Sequence, residues 1–82
     1  MPYANASPEE VAARGEAIYE EQIRTKVEAA HAGEFLVLDI KTGSYEIAQD
    51  DLAATKRILA KQPDGVLYGL RIGYPAAYRL AL

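Results

Sequence analysis

The chain of 82 residues contains no cysteine, no tryptophan and a single histidine. Without cysteine there can be no disulfide, no thiolate nucleophile and no thiolate metal ligand. A cysteine-free chain also fits a reducing compartment, so we expect a cytoplasmic protein. His31 has no second histidine with which to form a metal site. At the end of a helix its expected role is to interact with the helix dipole.

Long apolar runs and a basic surface are missing as well. No apolar stretch approaches the roughly 20 residues that span a bilayer, and residues 1–10 lack the basic and apolar parts of a signal peptide. The 9 lysines and arginines are outnumbered by 12 acidic residues, which gives a net charge of −3. A protein that binds phosphates needs a basic face. We therefore expect no membrane association, and nucleic-acid binding only through a complex with another protein.

Signals for a long N-terminal helix follow a small, uncharged leader over residues 1–6. Ser7 is suited to cap the helix, Pro8 to begin it, and Glu10 to complete a capping box with Ser7. Gly33 provides the stop. The sequence thus predicts a helix over residues 8–32.

Apolar residues recur at spacings of three and four along this helix and predict one buried stripe. Gly15 interrupts the stripe at a cost of about 1 kcal/mol relative to alanine. Either the first turns fray, or Gly15 permits another backbone to approach closely. The predicted stripe comprises Val11, Gly15, Ile18, Tyr19, Gln22, Ile23, Val27 and Ala30.

The rest of the chain predicts a small sheet with one more helix. Residues 34–40 form a strand that is apolar on both faces, which favours a central or covered position. A Thr-Gly turn leads to a return strand over residues 45–48. Asp50 caps a helix over residues 50–61 whose expected buried residues are Leu52, Thr55, Ile58 and Leu59. The last strand covers residues 66–72.

These elements define an α+β fold in the order α-β-β-α-β. A β-hairpin and a crossover strand form a three-stranded sheet, with the helices on one face and a long N-terminal helix. Residues 7–82 are expected to form a single small domain.

The residues that could be taken for catalytic groups are better explained by roles in the fold. Asp39 is separated from Thr42-Gly43 by two residues, so it does not form the Asp-Thr-Gly triplet of aspartic proteases and is expected to close the hairpin. Asp50 is a helix cap rather than a metal ligand. The glycines at 65 and 69 are not followed by the Lys-Ser/Thr of a phosphate loop. We expect no enzymatic activity, no cofactor and no metal.

The tyrosines are the most suggestive residues for a binding role. Tyrosine is common at interfaces because it buries area while its hydroxyl stays wet, but in a small domain it also fills the core and its rim. Both interpretations remain open, and Arg71 adds a charged neighbour. The candidate partner-binding residues are Ile18, Tyr19, Ile23, Tyr68, Arg71, Tyr74 and Tyr78.

A resemblance to a protein family rests on "GEFLVLDIKTGSYEI" and "LYGLRIGY", and it extends over residues 18–80. In these stretches the chain resembles a family of short, uncharacterised bacterial proteins, largely cyanobacterial, that are similar to small antitoxin-like proteins. The genes of such proteins often lie beside a second small gene. The resemblance implies a role in binding a partner and supplies no catalytic residue.

Three functions therefore compete at this stage. The first is a non-catalytic protein-interaction module, an antitoxin-like partner or regulator of another small protein. The second is a homo-oligomer, most simply a homodimer, in which the apolar stripe of the long helix pairs with its own copy. The third is a small anion or nucleotide binder that uses Arg71, Tyr74 and Arg79.

Overall fold

The computed structural model describes residues 7–74. The predicted leader over residues 1–6, and the C-terminal tail that contains Tyr78 and Arg79, lie outside the described residues. Helical hydrogen bonding runs from residue 8 to residue 31 in three consecutive parts, which together we call the long helix. These parts are α1 (Pro8–Ile18), a π-helical segment (Tyr19–Ile23) and α2 (Arg24–His31).

The ends of the long helix form as the sequence predicts. The Ser7 hydroxyl accepts from the Glu10 backbone N–H at 3.1 Å, and the Glu10 carboxylate accepts from the Ser7 N–H at 2.8 Å. Gly33 follows the helix with φ of 90°, a conformation that favours glycine. Its N–H donates to the carbonyl of Ile72 at 2.8 Å, so the end of the helix is tied to the end of the last strand.

Three antiparallel strands form the sheet in the order β2-β1-β3. The central strand is β1 (Phe35–Asp39), with β2 (Tyr45–Ala48) and β3 (Leu67–Arg71) on its two sides. Helix α3 (Asp51–Lys61) is the crossover between β2 and β3, and the Asp50 side chain caps it by accepting from the Ala53 N–H at 2.8 Å. The α+β class, the hairpin, the crossover strand and the long N-terminal helix are confirmed.

Asp39 closes the hairpin, as its position predicts. Its side chain is 1% exposed. One carboxylate oxygen accepts from the backbone N–H groups of Lys41 at 3.1 Å and Val66 at 3.0 Å, and the other accepts from the Thr42 hydroxyl at 3.0 Å. A buried carboxylate with several donors is well satisfied, and here it joins the β1–β2 turn to the start of β3.

The two helices lie on opposite faces of the sheet, and the prediction of helices on one face is wrong in this respect. Side chains alternate between the faces of a strand. Leu36 and Leu38 pack with the long helix, whereas Val37 packs with Ala54 and Ile58 of α3. All three β1 side chains have 0% exposure. A central strand that is apolar on both faces needs cover on both, and the opposed helices provide it.

The buried side of α3 also differs from the prediction. Ile58 is buried as expected and Ala54 joins it, but Leu52 is 62% exposed and Leu59 is 39% exposed. Polar contacts fix the rotation of the helix. Arg57 donates to the Ile47 carbonyl at 2.7 Å, and Lys61 contacts the Glu46 carboxylate at 2.6 Å. These contacts hold one side of α3 against β2 and turn the two leucines outward.

Candidate functional site

A cavity of about 330 Å³ lies between the long helix and the end of β3. Its helical wall is mostly charged, and its sheet wall is aromatic and apolar. The lining residues are Glu16, Tyr19, Glu20, Arg24, Glu28, Tyr68, Leu70, Gly73 and Tyr74.

The helical wall is a row of residues spaced by four, from Glu16 through Glu20 and Arg24 to Glu28. In an α-helix of 3.6 residues per turn, such a row drifts around the axis by about 40° at each step. The π-helical segment has a wider turn, in which the Arg24 N–H donates to the Tyr19 carbonyl five residues back. This wider turn offsets the drift of the row around the axis, so all four charged side chains line the same cavity.

The buried row beside it has the same spacing, through Gly15, Tyr19, Ile23 and Val27, and all four residues are buried. The π-helical segment therefore serves the core and the cavity together. It turns apolar side chains toward the sheet, and it brings the adjacent charged row to the rim of the sheet at β3. Segments of this kind are frequent at functional sites.

Gly15 lets the helix approach the sheet closely. A Cβ atom at position 15 would lie 2.3 Å from Cγ of Tyr68 and 2.6 Å from its Cβ, far inside van der Waals contact. Of the two interpretations of Gly15, the structure supports close approach, but the group that approaches is the Tyr68 side chain and not another backbone. Tyr68, which is 2% exposed, packs directly on the helix backbone and forms the wall of the cavity beside Glu16.

Ion pairs organise the charged row. The Arg24 guanidinium contacts the Glu20 carboxylate at 2.7 Å and the Glu28 carboxylate at 3.3 Å. Glu16 accepts a long hydrogen bond of 3.5 Å from the Tyr68 hydroxyl. Three carboxylates and one guanidinium on the lining leave a net charge of −2. The negative potential of the cavity is therefore only partly neutralised from within.

Tyr19 lines the cavity and is 6% exposed. Its hydroxyl is buried and has no hydrogen-bond partner among residues 7–74. Burial and the neighbouring Glu28 carboxylate raise the pKa of Tyr19 above its usual 10.0. A buried hydroxyl without a partner costs about 1–3 kcal/mol and calls for an explanation, which a bound group would provide.

Tyr74 stands at the mouth of the cavity and is 54% exposed. The Arg71 guanidinium lies 4.3 Å from the centroid of its ring and 5.2 Å from that of Phe35. Arg71 also donates to the Gly33 carbonyl at 3.0 Å. Arg71 is thus held between the end of the long helix and two rings, and it positions Tyr74.

The structure brings together three of the predicted partner-binding residues, Tyr19, Tyr68 and Tyr74, and places Arg71 beside them. Ile18 and Ile23 are 7% and 3% exposed and lie in the core. Tyr19 and Tyr68 are buried to a similar degree, but they line the cavity, whereas the two isoleucines that the prediction gives to a partner surface do not. Tyr78 lies outside the described residues.

Sequence reasoning missed the charged row of the cavity. Glutamates on an amphipathic helix usually mark its solvent face. The available signal was the repeated spacing of four in two adjacent rows, Gly15 to Val27 and Glu16 to Glu28, which a regular α-helix cannot keep aligned.

The lining combines acidic, aromatic and apolar side chains. Carboxylates, phenols and one guanidinium line the cavity, and no serine, threonine, lysine or histidine is among the lining residues. His31 lies elsewhere, with Nδ1 3.3 Å from a Glu34 carboxylate oxygen. Within residues 7–74 there is no group of three acidic or histidine side chains placed to hold a metal ion.

Comparisons of the chain with protein-family models, with curated proteins and with solved structures found no match. None of the helices in residues 7–74 combines the length and apolar character that crossing a bilayer requires.

Proposed function

We propose that this protein is a non-catalytic interaction module that binds another small protein in the cytoplasm, as an antitoxin-like partner or regulator. One observation carries the proposal. Tyrosines from three separate parts of the chain converge with a row of carboxylates on one concave surface. Interfaces are rich in tyrosine because the ring buries area at little cost in side-chain entropy.

Co-expression with the product of a neighbouring small gene, followed by co-purification, tests this proposal. Tyr74→Ala removes the most exposed ring of the cavity and should reduce recovery of the partner by at least about tenfold, as expected of an aromatic interface residue. Lys26→Ala changes an exposed position of α2 that is not part of the lining, and it serves as the control. Equal recovery with both variants would show that the cavity is not the interface, and no recovery with the unchanged protein would count against the function itself.

Self-association is a second candidate, and a different surface favours it. The stripe of the long helix faces the sheet through Ile18, Ile23 and Val27, so it offers no surface for a homodimer. Leu52 and Leu59 instead stand exposed on α3, seven residues apart, a spacing that repeats along one side of a helix. Two copies of α3 could pair through these leucines.

Sedimentation of the unchanged protein at micromolar concentration tests self-association, with Leu52→Lys/Leu59→Lys as the variant. A dimer that the double variant converts to a monomer would support pairing through α3. A monomer at all concentrations rules this candidate out.

Binding of a small anion or nucleotide has less support. The cavity carries a net negative charge, and its one lining guanidinium is already bound by two carboxylates. A phosphate would meet repulsion from the three carboxylates of the helical wall.

A further inference from the structure

We propose that the cavity receives a guanidinium or alkylammonium group, contributed by an arginine or lysine side chain of the partner protein. This inference rests on the proposed function and names the chemistry of the partner. It combines two independent observations, the net charge of the lining and the buried Tyr19 hydroxyl without a partner among residues 7–74.

The contacts of Arg24 show that the carboxylates of the row can bind a guanidinium. The Arg24 guanidinium already bridges two carboxylates, Glu20 and Glu28. The Arg24 side chain is 47% exposed, and an exposed ion pair of this type contributes little to stability because solvent screens it. An incoming cation can therefore add beside Arg24 or displace it at small cost.

Glu16 provides the negative charge that is least satisfied. It is half-buried, it lies one helical turn from Glu20, and the Tyr68 hydroxyl reaches it only at 3.5 Å. A carboxylate in this setting gains most from a new charged donor, because charge-assisted hydrogen bonds are shorter and about twice as strong as neutral ones.

Tyr19 adds a buried polar group to the site. The phenol oxygen can accept a hydrogen bond from an N–H group of the bound cation. The rings of Tyr68 and Tyr74 and the side chain of Leu70 suit the methylene stem of a lysine or arginine.

A bare metal ion fits the cavity less well. Divalent cations take six or more oxygen ligands at short distance, and residues 7–74 contain no group of three such side chains placed to provide them. The volume of about 330 Å³ and the aromatic wall suit an organic cation with an apolar stem.

The test uses the full chain and a probe that needs no partner. N-acetyl-arginine amide is titrated into ¹⁵N-labelled protein at constant ionic strength, and N-acetyl-citrulline amide serves as the neutral probe of the same shape. We expect saturable amide shifts at Gly73, Tyr74 and the helical wall, with a Kd on the order of millimolar for a ligand of this size. Citrulline should bind at least about tenfold more weakly.

Variants locate the binding. Glu16→Gln should weaken arginine binding at least about fivefold, whereas Glu21→Gln, an equal charge change on an exposed residue outside the lining, should leave it within about twofold. Tyr19→Phe keeps every charge and should weaken binding about threefold. Lysine amide in place of arginine amide should bind in the same place.

Four results would overturn the proposal. They are no localised shift up to tens of millimolar arginine amide, equal binding of citrulline, equal effects of Glu16→Gln and Glu21→Gln, and an unchanged affinity in Tyr19→Phe. Because the titration contains no second protein, its failure leaves the interaction module to be judged by co-purification. If co-purification fails, the arginine amide titration still tests the cation site.

Discussion

Replacing Gly15 with alanine opposes two effects of known size. Alanine is the better helix former by about 0.8–1.0 kcal/mol in a helix interior. The added methyl, however, would lie 2.3 Å from Cγ and 2.4 Å from Cδ2 of Tyr68, where carbon atoms normally stay 3.5–4.0 Å apart. The sign of the change in the free energy of unfolding shows which effect is larger.

The contact atoms decide the expected sign. They belong to the stem and the inner ring of Tyr68 rather than to a flexible tip, and Tyr68 is 2% exposed on a strand that pairs with β1. Neither side can yield by a rotamer change alone. Inserting a methyl group into a packed core costs about 1–3 kcal/mol, occasionally more. A contact of 2.3 Å places the cost at the upper end of this range, about 2–3 kcal/mol, so we expect a net loss of about 1–2 kcal/mol after the gain in helix propensity.

Thermal and urea unfolding followed by circular dichroism measure this change. For a domain of this size, a loss of 1 kcal/mol lowers Tm by about 4–8 °C. The control is Ala29→Gly, an exposed position in the same helix, which should lose about 1 kcal/mol through propensity alone. If Gly15→Ala instead raises Tm by as much as Ala29→Gly lowers it, the helix does not approach Tyr68 as described.

Three further changes test the site and the hairpin. Tyr19→Phe should raise the free energy of unfolding by about 1 kcal/mol in chemical denaturation, since it removes a buried hydroxyl without a partner among residues 7–74; a loss would reveal a hidden partner. Because burial and Glu28 raise the Tyr19 pKa above 10.0, the folded state holds its proton longer than the unfolded state, so stability should fall as pH rises above about 10, and less steeply in Tyr19→Phe. Equal slopes would show an unshifted phenol. Asp39→Ala should cost about 2–4 kcal/mol and Asp39→Asn less, because asparagine keeps an acceptor for the Val66 N–H; equal losses would contradict that hydrogen bond.

Local chemistry made much of the fold predictable. Ser7 and Glu10 cap the long helix, Asp50 caps α3, and the strand over residues 45–48 begins and ends where its alternation predicts. Each of these features depends on residues close together in sequence. The buried side of α3 does not depend on local sequence alone, because the contacts of α3 with β2 set the rotation of the helix.

The apolar run through Leu36, Val37 and Leu38 already contained the information about two covered faces. A strand buried on both sides predicts a layer on each, and the prediction of helices on one face did not use this consequence. In α3, the prediction assigned the largest apolar side chains to the buried side, and this was wrong for two of them. Leu52 and Leu59 are the larger residues, but Ala54 allows the closer approach to the sheet and occupies the buried position.

The tyrosines of the site could be selected from residue type alone, but their meeting point could not. Tyr19 and Tyr68 are far apart in sequence, and their proximity depends on Gly15, for which the sequence left fraying and close approach open and did not indicate Tyr68 as the neighbour. The glutamate row was hidden for a related reason. A helix with uniform 3.6-residue turns would spread these carboxylates around its axis.

The π-helical segment has a consequence for changes in chain length. Each of its hydrogen bonds spans one residue more than an α-helical bond, so the long helix holds one residue beyond what regular winding requires. Deleting Gln22, which is exposed, should let the helix close into a regular α-helix while Val27 and the strands keep their places. The deletion would narrow the turn between Tyr19 and Arg24 and change the shape of the cavity without dismantling the domain. Among chains of this fold, a single-residue gap at this point would therefore separate those that keep the cavity from those that keep only the scaffold.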